Sequence, residues 1–386
     1  GYILALKADN VMTGLNTFFV AVLLVIVGTF SLFTAGSIAF LKLLQKNKRY
    51  YYKTNHFISV SGMIYRMKQN AASLSLICIM STGVLLLISS TTSLYVGQEH
   101  SLYMHYPKEF RISLSLGTEP DDSAQFEKEL KEIGTYAENY LKDNKIDVKN
   151  EESQTVIDVA ALQKDGNVQI TSSRIYGSED FENLCMLQAV TLEDYNRETK
   201  KNETLKDGEA LVFLEDVPLQ QDTFSVNNMK WKVKHLPEDT RMGDTGLEFY
   251  ANPVYRIVVK DFAQLQELWK INKEVYRENA SRVKYEYSFD VDLPEEKIQK
   301  LTSSLHAYFG EQKDAPHAFV YGIENRTEGR AEFYSLYGGL FFLGIFLGLL
   351  FVMATVLIIY YKQISEGYED KERFAILKKI GMERGE

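Results

Sequence analysis

The stretch YEDKERFAILKKIGM, residues 368–382, combines charged and apolar side chains at helical spacing. If this stretch is a helix, its apolar face carries Phe374, Ile376, Leu377 and Ile380. The opposite face carries the charged residues Lys371, Glu372, Lys378 and Lys379. Gly381 would then end the helix. Such a helix could lie on anionic lipid headgroups through its lysines, or its apolar face could fill a groove in a protein partner. The residues alone leave both interpretations open.

The sequence lacks the common patterns that carry catalysis or bind cofactors. It contains no G-x-x-x-x-G-K-[ST] loop for nucleotide phosphates, no H-E-x-x-H or paired C-x-x-C for a metal, and no G-x-S-x-G for a nucleophilic serine. His100 and His105 could form a weak metal or pH-sensitive site, although two such histidines are more often ordinary surface residues. We therefore expect a non-catalytic chain without a cofactor or metal of its own, and no nucleic-acid partner.

Three windows of the chain contain almost no charge, residues 14–41, 71–96 and 334–361. Each exceeds the roughly 20 apolar residues that a helix needs to cross a hydrocarbon core about 30 Å thick. Tyrosines at their borders, Tyr50 to Tyr52, Tyr334, Tyr337, Tyr360 and Tyr361, suit the membrane interface. We predict three transmembrane helices. Residues 1–13 are interpreted as the end of a preceding helix and its outer loop, so the chain is expected to be a piece of a longer membrane protein.

The charge of the short segments predicts the orientation. Residues 42–70 carry seven Lys and Arg and no Asp or Glu, which indicates a cytoplasmic loop under the positive-inside rule. Residues 97–333 should then form one large domain outside the cell, and residues 362–386 should return to the cytoplasm. The expected location is the cell membrane, crossed several times.

The predicted outer domain, residues 97–333, holds 45 acidic and 29 basic residues. This excess could attract cationic ligands, or it could simply keep a soluble surface hydrated. Alternating patterns predict strands over 109–117, 231–236, 254–260 and 284–291. Helical spacing predicts helices over 123–144, over 261–279 with Asp261 as N-cap, and over 293–310 ended by Gly310. Residues 253–322 thus read strand, helix, strand, helix, strand, and we predict an α/β or α+β domain.

Cysteine usage adds one constraint to this domain. Cys78 falls in an apolar window and Cys185 in the predicted outer domain, so no disulfide is expected between them. This suits a bacterial surface protein held together by packing. Three N-x-S/T triplets, at Asn202, Asn279 and Asn325, leave a glycosylated eukaryotic domain open, although such triplets often arise by chance.

Two segments carry a family resemblance. The order of outer domain, membrane helix and ERFAILKKIGM (residues 372–382) resembles the FtsX/MacB-type ABC permease domain. NHFISVSGMIYRMKQNAASLSL, residues 55–76, is similar to the corresponding segment of antimicrobial-peptide ABC permeases of the bacitracin-resistance type. The layout, with one large domain late in a chain of many helices, also resembles that type. Ten helices are expected in the family, of which this chain would supply the end of the fifth, the sixth, seventh and eighth, and the outer domain.

The resemblance implies partners and a mechanism. The cytoplasmic segment would be the coupling helix that contacts a separate ABC ATPase, through Glu372, Arg373, Phe374, Ile376, Leu377, Lys378, Lys379, Ile380 and Gly381. ATP would be bound by that partner and not by this chain. Such permeases often work with a membrane sensor histidine kinase. They give resistance to antimicrobial peptides such as bacitracin, which bind cell-wall lipid intermediates, by freeing the lipid target; peptide, peptide–lipid complex and membrane lipid are therefore expected ligands.

Two further interpretations stay open at this point. Gly344 and Gly348 have the G-x-x-x-G spacing that allows close packing against a neighbouring membrane helix, but membrane helices are commonly rich in glycine. The alternative function is that of an FtsX-like signalling or scaffold protein, which passes ATPase motion to an outer partner without transport. The size of the predicted outer domain favours the permease.

Overall fold

A computed structural model of the chain describes residues 11–52, 54–171, 183–215, 217–237, 240, 252–311 and 319–379. These residues form two compact units. The helical unit contains Thr13–Gly97 and Ser335–Glu386, and the sheet unit contains Gln98–Tyr334.

The helical unit is built from long apolar helices. Helix α1 (Val11–Ser31) passes through a π-helical turn, Leu32–Gly36, into α2 (Ser37–Lys46), and a short α3 (Lys48–Tyr51) follows. Helix α4 covers Thr54–His105, and the last helix of the chain, α9, covers Arg326–Lys379. By length and composition, three stretches of the described residues could cross a membrane: Phe19–Lys46, Ala71–His105 and Arg326–Lys371.

Large apolar side chains are exposed along all three of these stretches, as at Leu23, Leu85 and Phe342, which are 62%, 70% and 71% exposed. Contiguous apolar surface of this kind is costly in water and is suited to lipid. The prediction of three long apolar helices is confirmed.

Two segments were predicted to be a loop and a separate short helix, and both are instead largely part of the long helices. The described part of the basic segment 42–70 is mostly helical, since α2 reaches Lys46 and α4 begins at Thr54. Residues 368–379 are the end of α9 rather than a separate short helix. No proline follows the apolar window in this part of the chain, and Lys362 pairs with Glu366 one turn later at 3.8 Å, so nothing local stops the helix.

In the sheet unit, the described residues form eleven strands and four α-helices. The strands are β1 (Phe110–Leu116), β2 (Val148–Lys164), β3 (Asn167–Gln169), β4 (Leu184–Thr191), β5 (Glu209–Leu214), β6 (Val217–Pro218), β7 (Thr223–Val226), β8 (Met229–Val233), β9 (Val254–Val259), β10 (Lys284–Val291) and β11 (Phe319–Asn325). The helices are α5 (Ser123–Asp143), α6 (Leu192–Thr199), α7 (Phe262–Tyr276) and α8 (Glu295–Glu311).

The long strand β2 organises the sheet. Its first half pairs with β10, which continues through β1 to β11, all antiparallel. Its second half pairs with β4 and, at its end, with β3. The pairings run from β3 through β7, β8, β5 and β9 back to β4, so seven strands close a circuit through β2. The pairs β3–β7, β4–β9 and β5–β8 are parallel and the others antiparallel, which makes this a mixed sheet.

The two faces of the strands differ because successive side chains point to opposite sides. In β1, Phe110, Ile112 and Leu114 are fully buried, whereas Arg111 is only partly buried. The same alternation in β10, β2 and β4 builds one large core, to which α5, α7 and α8 add their apolar faces. A smaller core around Tyr195 lies where α6 meets β2, β4, β5 and β9.

The elements predicted from periodicity are confirmed. Strands β1, β9 and β10 and helices α5 and α7 fall in the predicted segments, and β8 and α8 overlap theirs. The order strand, helix, strand, helix, strand is found from β9 to β11. Asp261 caps α7, since its carboxylate accepts from the backbone N–H of Gln264 at 3.1 Å. Gly310 does not end α8, which continues to Glu311.

Asn325 shows what one of the N-x-S/T triplets does in this fold. Its side chain is 2% exposed, and its Oδ1 accepts from the backbone N–H of Glu328 at 2.7 Å. It therefore caps the start of α9.

Two helical glycines give a test of this packing. A Cβ at Gly134 of α5 would lie 2.5 Å from the ring of Tyr285. Among the described residues, a Cβ at Gly310 of α8 would meet nothing closer than the Tyr321 hydroxyl at 3.9 Å. Gly134→Ala should lower the free energy of unfolding, because overpacking costs about 1–3 kcal/mol and exceeds the helix-propensity gain of up to about 1 kcal/mol. Gly310→Ala should keep that gain. Thermal unfolding of both variants checks the prediction, and equal behaviour would contradict it.

Candidate functional site

The C-terminal part of α9 carries the residues predicted to dock a partner. Ile376, on the predicted apolar face, is 58% exposed. At Glu372, Arg373, Phe374, Leu377, Lys378 and Lys379 the structure describes the backbone alone, and it places all six in α9. Ile380 and Gly381 lie outside the described residues. An exposed isoleucine at the end of so long a helix is a surface that can bind a partner without chemistry of its own.

Gly344 and Gly348 of α9 face α4. A Cβ at Gly344 would lie 2.5 Å from Cγ2 of Thr91, so only glycine fits there without a shift, and one at Gly348 would touch Ile88 at 3.5 Å. Tyr95 and Phe341 stack nearby with ring centroids 5.0 Å apart. Because the contacts descend along α4 as they rise along α9, the two helices run antiparallel.

The sheet unit contains a polar cleft on the strand faces opposite the large core, with a volume of about 590 Å³. On one side of it, Arg111 of β1 is paired in register with Glu324 of β11, and their side chains approach to 3.7 Å. Glu286 of β10 is paired with Gln154 of β2, whose Nε2 donates to the Glu286 carboxylate at 3.1 Å. Alternation in these strands thus gathers charged side chains on one surface.

The row of polar side chains continues across β2, β4 and β9. Asp158 accepts from Nε2 of Gln188 at 2.9 Å and from Nζ of Lys284 at 3.1 Å. Gln188 is in turn paired in register with Arg256. Since β9 is buried on both faces, Arg256 is only 1% exposed although it lines the cleft.

Helix α6 supplies the acidic partner of Arg256. Nη2 of Arg256 donates to the carboxylate of Glu198 and to Oε1 of Gln154, both at 3.0 Å. The helix is fixed by Asp194, whose carboxylate accepts from the backbone N–H of Thr155 at 2.9 Å and pairs with Arg197. Glu198 is thereby held over β9.

Two cleft carboxyls are shifted toward their neutral forms. Burial, and then the neighbouring Asp158 charge, raise the pKa of Glu286. Burial also raises the pKa of Glu198, and the Arg256 guanidinium opposes this shift. A carboxyl group in such an environment changes its protonation when a charged group binds beside it.

The cleft is lined by side chains that can form hydrogen bonds and ion pairs with a polar molecule. No group of three or more His, Cys, Asp or Glu is placed to hold a metal ion within the part of the chain that the structure describes. His105 lines the cleft and His100 does not. Sequence reasoning missed the site; charged residues alternating with buried ones in β1 and β10 were the available signal.

Comparison with known proteins gives similarity to transporter subunits. The chain is 24% identical over 380 residues to the ABC transporter permease protein YxdM of Bacillus subtilis (strain 168), which covers 95% of this chain and 53% of that protein. It is 24% identical over 405 residues to the bacitracin export permease protein BceB of Halalkalibacterium halodurans, covering 100% and 56%. To BceB of Bacillus subtilis (strain 168) it is 22% identical over 368 residues, covering 94% and 51%.

These matches confirm the resemblance drawn from the sequence, that of an ABC permease of the bacitracin type. The similarity runs over nearly the whole chain, through both units. The chain spans about half the length of the curated relatives it matches. No family model matches the chain.

The raised pKa of Glu286 predicts a pH-dependent stability. The folded protein holds an extra proton there, so the stabilisation is present below the ordinary carboxyl pKa, about 4.3, and is lost as pH rises through the raised value. Glu286→Gln cannot ionise. The Tm of this variant minus that of the wild type should therefore increase as the pH rises above the ordinary carboxyl pKa, about 4.3.

The control for this experiment is Glu296→Gln, at an exposed position of α8. Its Tm difference from the wild type should stay constant over the same range. A constant difference for Glu286→Gln as well would contradict the proposed burial of that carboxyl.

Proposed function

We propose that this chain belongs to the permease subunit of an ABC transporter of the bacitracin-export type, which works with a separate ATPase to protect a bacterium from peptides that target cell-wall lipid intermediates. The observation that carries the proposal is the similarity over 94% to 100% of the chain to two proteins named bacitracin export permease. The three long apolar helices and the mixed-sheet unit are consistent with it.

The end of α9 is proposed as the coupling element. Residues 372–381, of which 372–379 are the end of α9, would dock on the ATPase, with Phe374, Ile376, Leu377 and Ile380 entering a groove and the lysines staying at its rim. The exposure of Ile376 supports this, because an apolar side chain at a helix end gains free energy when a partner covers it. The helix continues from the apolar window to Lys379 without interruption, so motion at the docking end would act on the whole helix.

Gly344 and Gly348 are proposed to lock α9 to α4. With Thr91 only 2.5 Å from a Cβ at Gly344, the two backbones approach as closely as small-residue packing permits. A displaced α9 would then carry α4 with it. Both helices include residues that belong to the sheet unit, since α4 ends at His105 and α9 begins at Arg326. A movement of these helices that the ATPase causes would therefore act on the unit that we propose binds the ligand.

The sheet unit is proposed to face the outside of the cell. The seven basic residues and absent acidic residues of segment 42–70 favour this orientation. There the unit would meet the peptide, or the peptide bound to its lipid target, and freeing the lipid would give resistance. A membrane sensor histidine kinase is proposed as a second partner that responds to transport.

The docking role predicts loss of the ATPase from the complex. In the full-length permease, Phe374→Asp with Leu377→Asp should remove the ATPase that copurifies in detergent and abolish resistance, because two buried charges would replace the apolar contacts. Lys371→Gln, on the opposite face, is the control and should retain both. If the ATPase stays bound to the double variant, the segment does not dock it.

The proposed orientation of the sheet unit predicts which introduced cysteines can be labelled from outside intact cells. Lys297→Cys, exposed on α8, should react with a membrane-impermeant maleimide, and Lys48→Cys, exposed on α3, should react only after the membrane is opened. Native Cys185 is 2% exposed and Cys78 lies in α4, so the parent protein sets the background. The reverse pattern would place the sheet unit in the cytoplasm.

A further inference from the structure

A row of polar side chains crosses four neighbouring strands on the cleft side of the sheet. Glu324 of β11 is paired in register with Arg111 of β1, Arg111 with Ser288 of β10, and Ser288 with Glu152 of β2. All four line the cleft. Since neighbouring strands lie about 4.8 Å apart, the row presents an acceptor, a donor, a hydroxyl and a second acceptor at regular intervals.

The two ends of this row are ion pairs that solvent reaches. Arg111 and Glu324 approach to 3.7 Å, and their side chains are 29% and 56% exposed. Lys108 and Glu152 approach to 2.8 Å, and their side chains are 20% and 49% exposed. Lys108 also lines the cleft. A molecule that enters the cleft can therefore contact both ion pairs directly.

The charges of the cleft wall disfavour a ligand with a net charge. Seven acidic and seven basic side chains of the described residues line the cleft. A charged ligand beside an ion pair is attracted by one member and repelled by the other, so the two Coulomb energies largely cancel. The same ligand loses the hydration of its own charge when it enters the cleft. A neutral polar ligand avoids this cost.

A hydroxyl group can use both members of such an ion pair at once. It donates one hydrogen bond and accepts others, whereas a guanidinium carries five donors and a carboxylate accepts at about four positions. The 3.7 Å between Arg111 and Glu324 exceeds the usual hydrogen-bond length of about 2.7–3.2 Å. A hydroxyl beside this pair can accept from Arg111 while it donates to Glu324, and both bonds are then charge-assisted.

A second polar row lies two residues further along the same strands. Ser113 of β1 is paired in register with Glu286 of β10, and Glu286 with Gln154 of β2. All three line the cleft, whose volume of about 590 Å³ is that of a small-molecule site. The two rows form a grid of donors and acceptors, which suits a molecule with several hydroxyl groups around its rings. Sugars have this arrangement.

We propose that the cleft binds a neutral saccharide, whose hydroxyl groups lie on the row formed by Glu324, Arg111, Ser288 and Glu152. The site belongs to the sheet unit alone, and its argument does not use the similarity to permeases, so it goes beyond the proposed function. The two fail separately: copurification of the ATPase tests the transporter function, and sugar binding tests the site.

The first test is calorimetric titration of the full-length permease in a detergent without a sugar headgroup. The neutral probes are maltose, cellobiose and N,N′-diacetylchitobiose, and the charged probes are deacetylated chitobiose, a dication, and inorganic pyrophosphate. At least one neutral disaccharide should bind saturably, with a Kd at least about tenfold below that of either charged probe. This Kd should change less than about twofold between about 0.05 M and about 0.5 M NaCl, because no net charge is bound.

Three results would overturn the proposal. If no neutral disaccharide binds, the cleft is not a saccharide site. If the dication binds more tightly, the acidic excess of the unit decides binding, and if pyrophosphate binds more tightly, the cleft is an anion site.

Two variants at exposed positions locate the binding, Glu324→Gln at one end of the row and Glu152→Gln at the other. Each replaces a charge-assisted hydrogen bond to the sugar by a neutral one, so the disaccharide should bind about two- to fivefold more weakly. Each also leaves the wall with an excess of positive charge, so pyrophosphate should bind more tightly than to the wild type.

The matched control is Glu296→Gln, the same change at an exposed position of α8 that does not line the cleft. It should alter the binding of neither probe. Opposite changes for the disaccharide and pyrophosphate in the two cleft variants are the expected result. Unchanged binding of the disaccharide, or a loss of both probes together, would overturn the assignment of the sugar to this row.

Discussion

Arg326 lies where the last strand of the sheet passes into α9, and the sheet unit depends on its contacts. Its Nε donates to the carbonyl oxygen of Tyr106 at 2.8 Å and its Nη2 to that of Pro107, so it occupies backbone acceptors left free after α4 ends. The guanidinium also stacks over Tyr103, 4.5 Å from the ring centroid, and is 3.7 Å from the Glu109 carboxylate. One side chain thus fixes the chain entering the sheet to the chain leaving it, which are 220 residues apart for Tyr106.

The contacts of Arg326 hold the two ends of the sheet unit together, and this sets the register of the strands that line the cleft. Once β1 lies between β10 and β11, alternation decides that Phe110 and Ile112 enter the core and that Arg111 faces the cleft. A slip by one residue would exchange the two faces. Strand β9 is the exception, because α6 and the smaller core cover its second face. Arg256 is consequently buried although it belongs to the row of polar side chains across β2, β4 and β9. Alternation of side chains along a strand does not by itself produce such a position.

Local patterns in the sequence were sufficient for the elements that have one polar face. The three apolar helices, α5, α7 and α8, and strands β1 and β10 all followed from periodicity. Strand β2 was missed because its first half, VKNEES, has no apolar alternation; it is held by pairing with β10, a segment more than 100 residues away. The cleft was missed for the same physical reason, since its side chains come from strands brought together only by long-range pairing.

The sheet unit as a whole has more acidic than basic residues, whereas its cleft wall has equal numbers of both. The acidic composition of the unit therefore does not describe the cleft. Over the unit acidic residues exceed basic ones, 45 to 29, but the cleft wall is balanced. Acidic residues that belong to this excess lie on other surfaces as well, such as Glu295 and Glu296 at the exposed start of α8, where water screens their charge. The charge of the whole unit and the charge of the cleft wall are therefore separate properties. In the cleft, ion pairs such as Lys284 with Asp158 at 3.1 Å already compensate charge locally, so the negative charge of the whole unit does not describe the cleft wall.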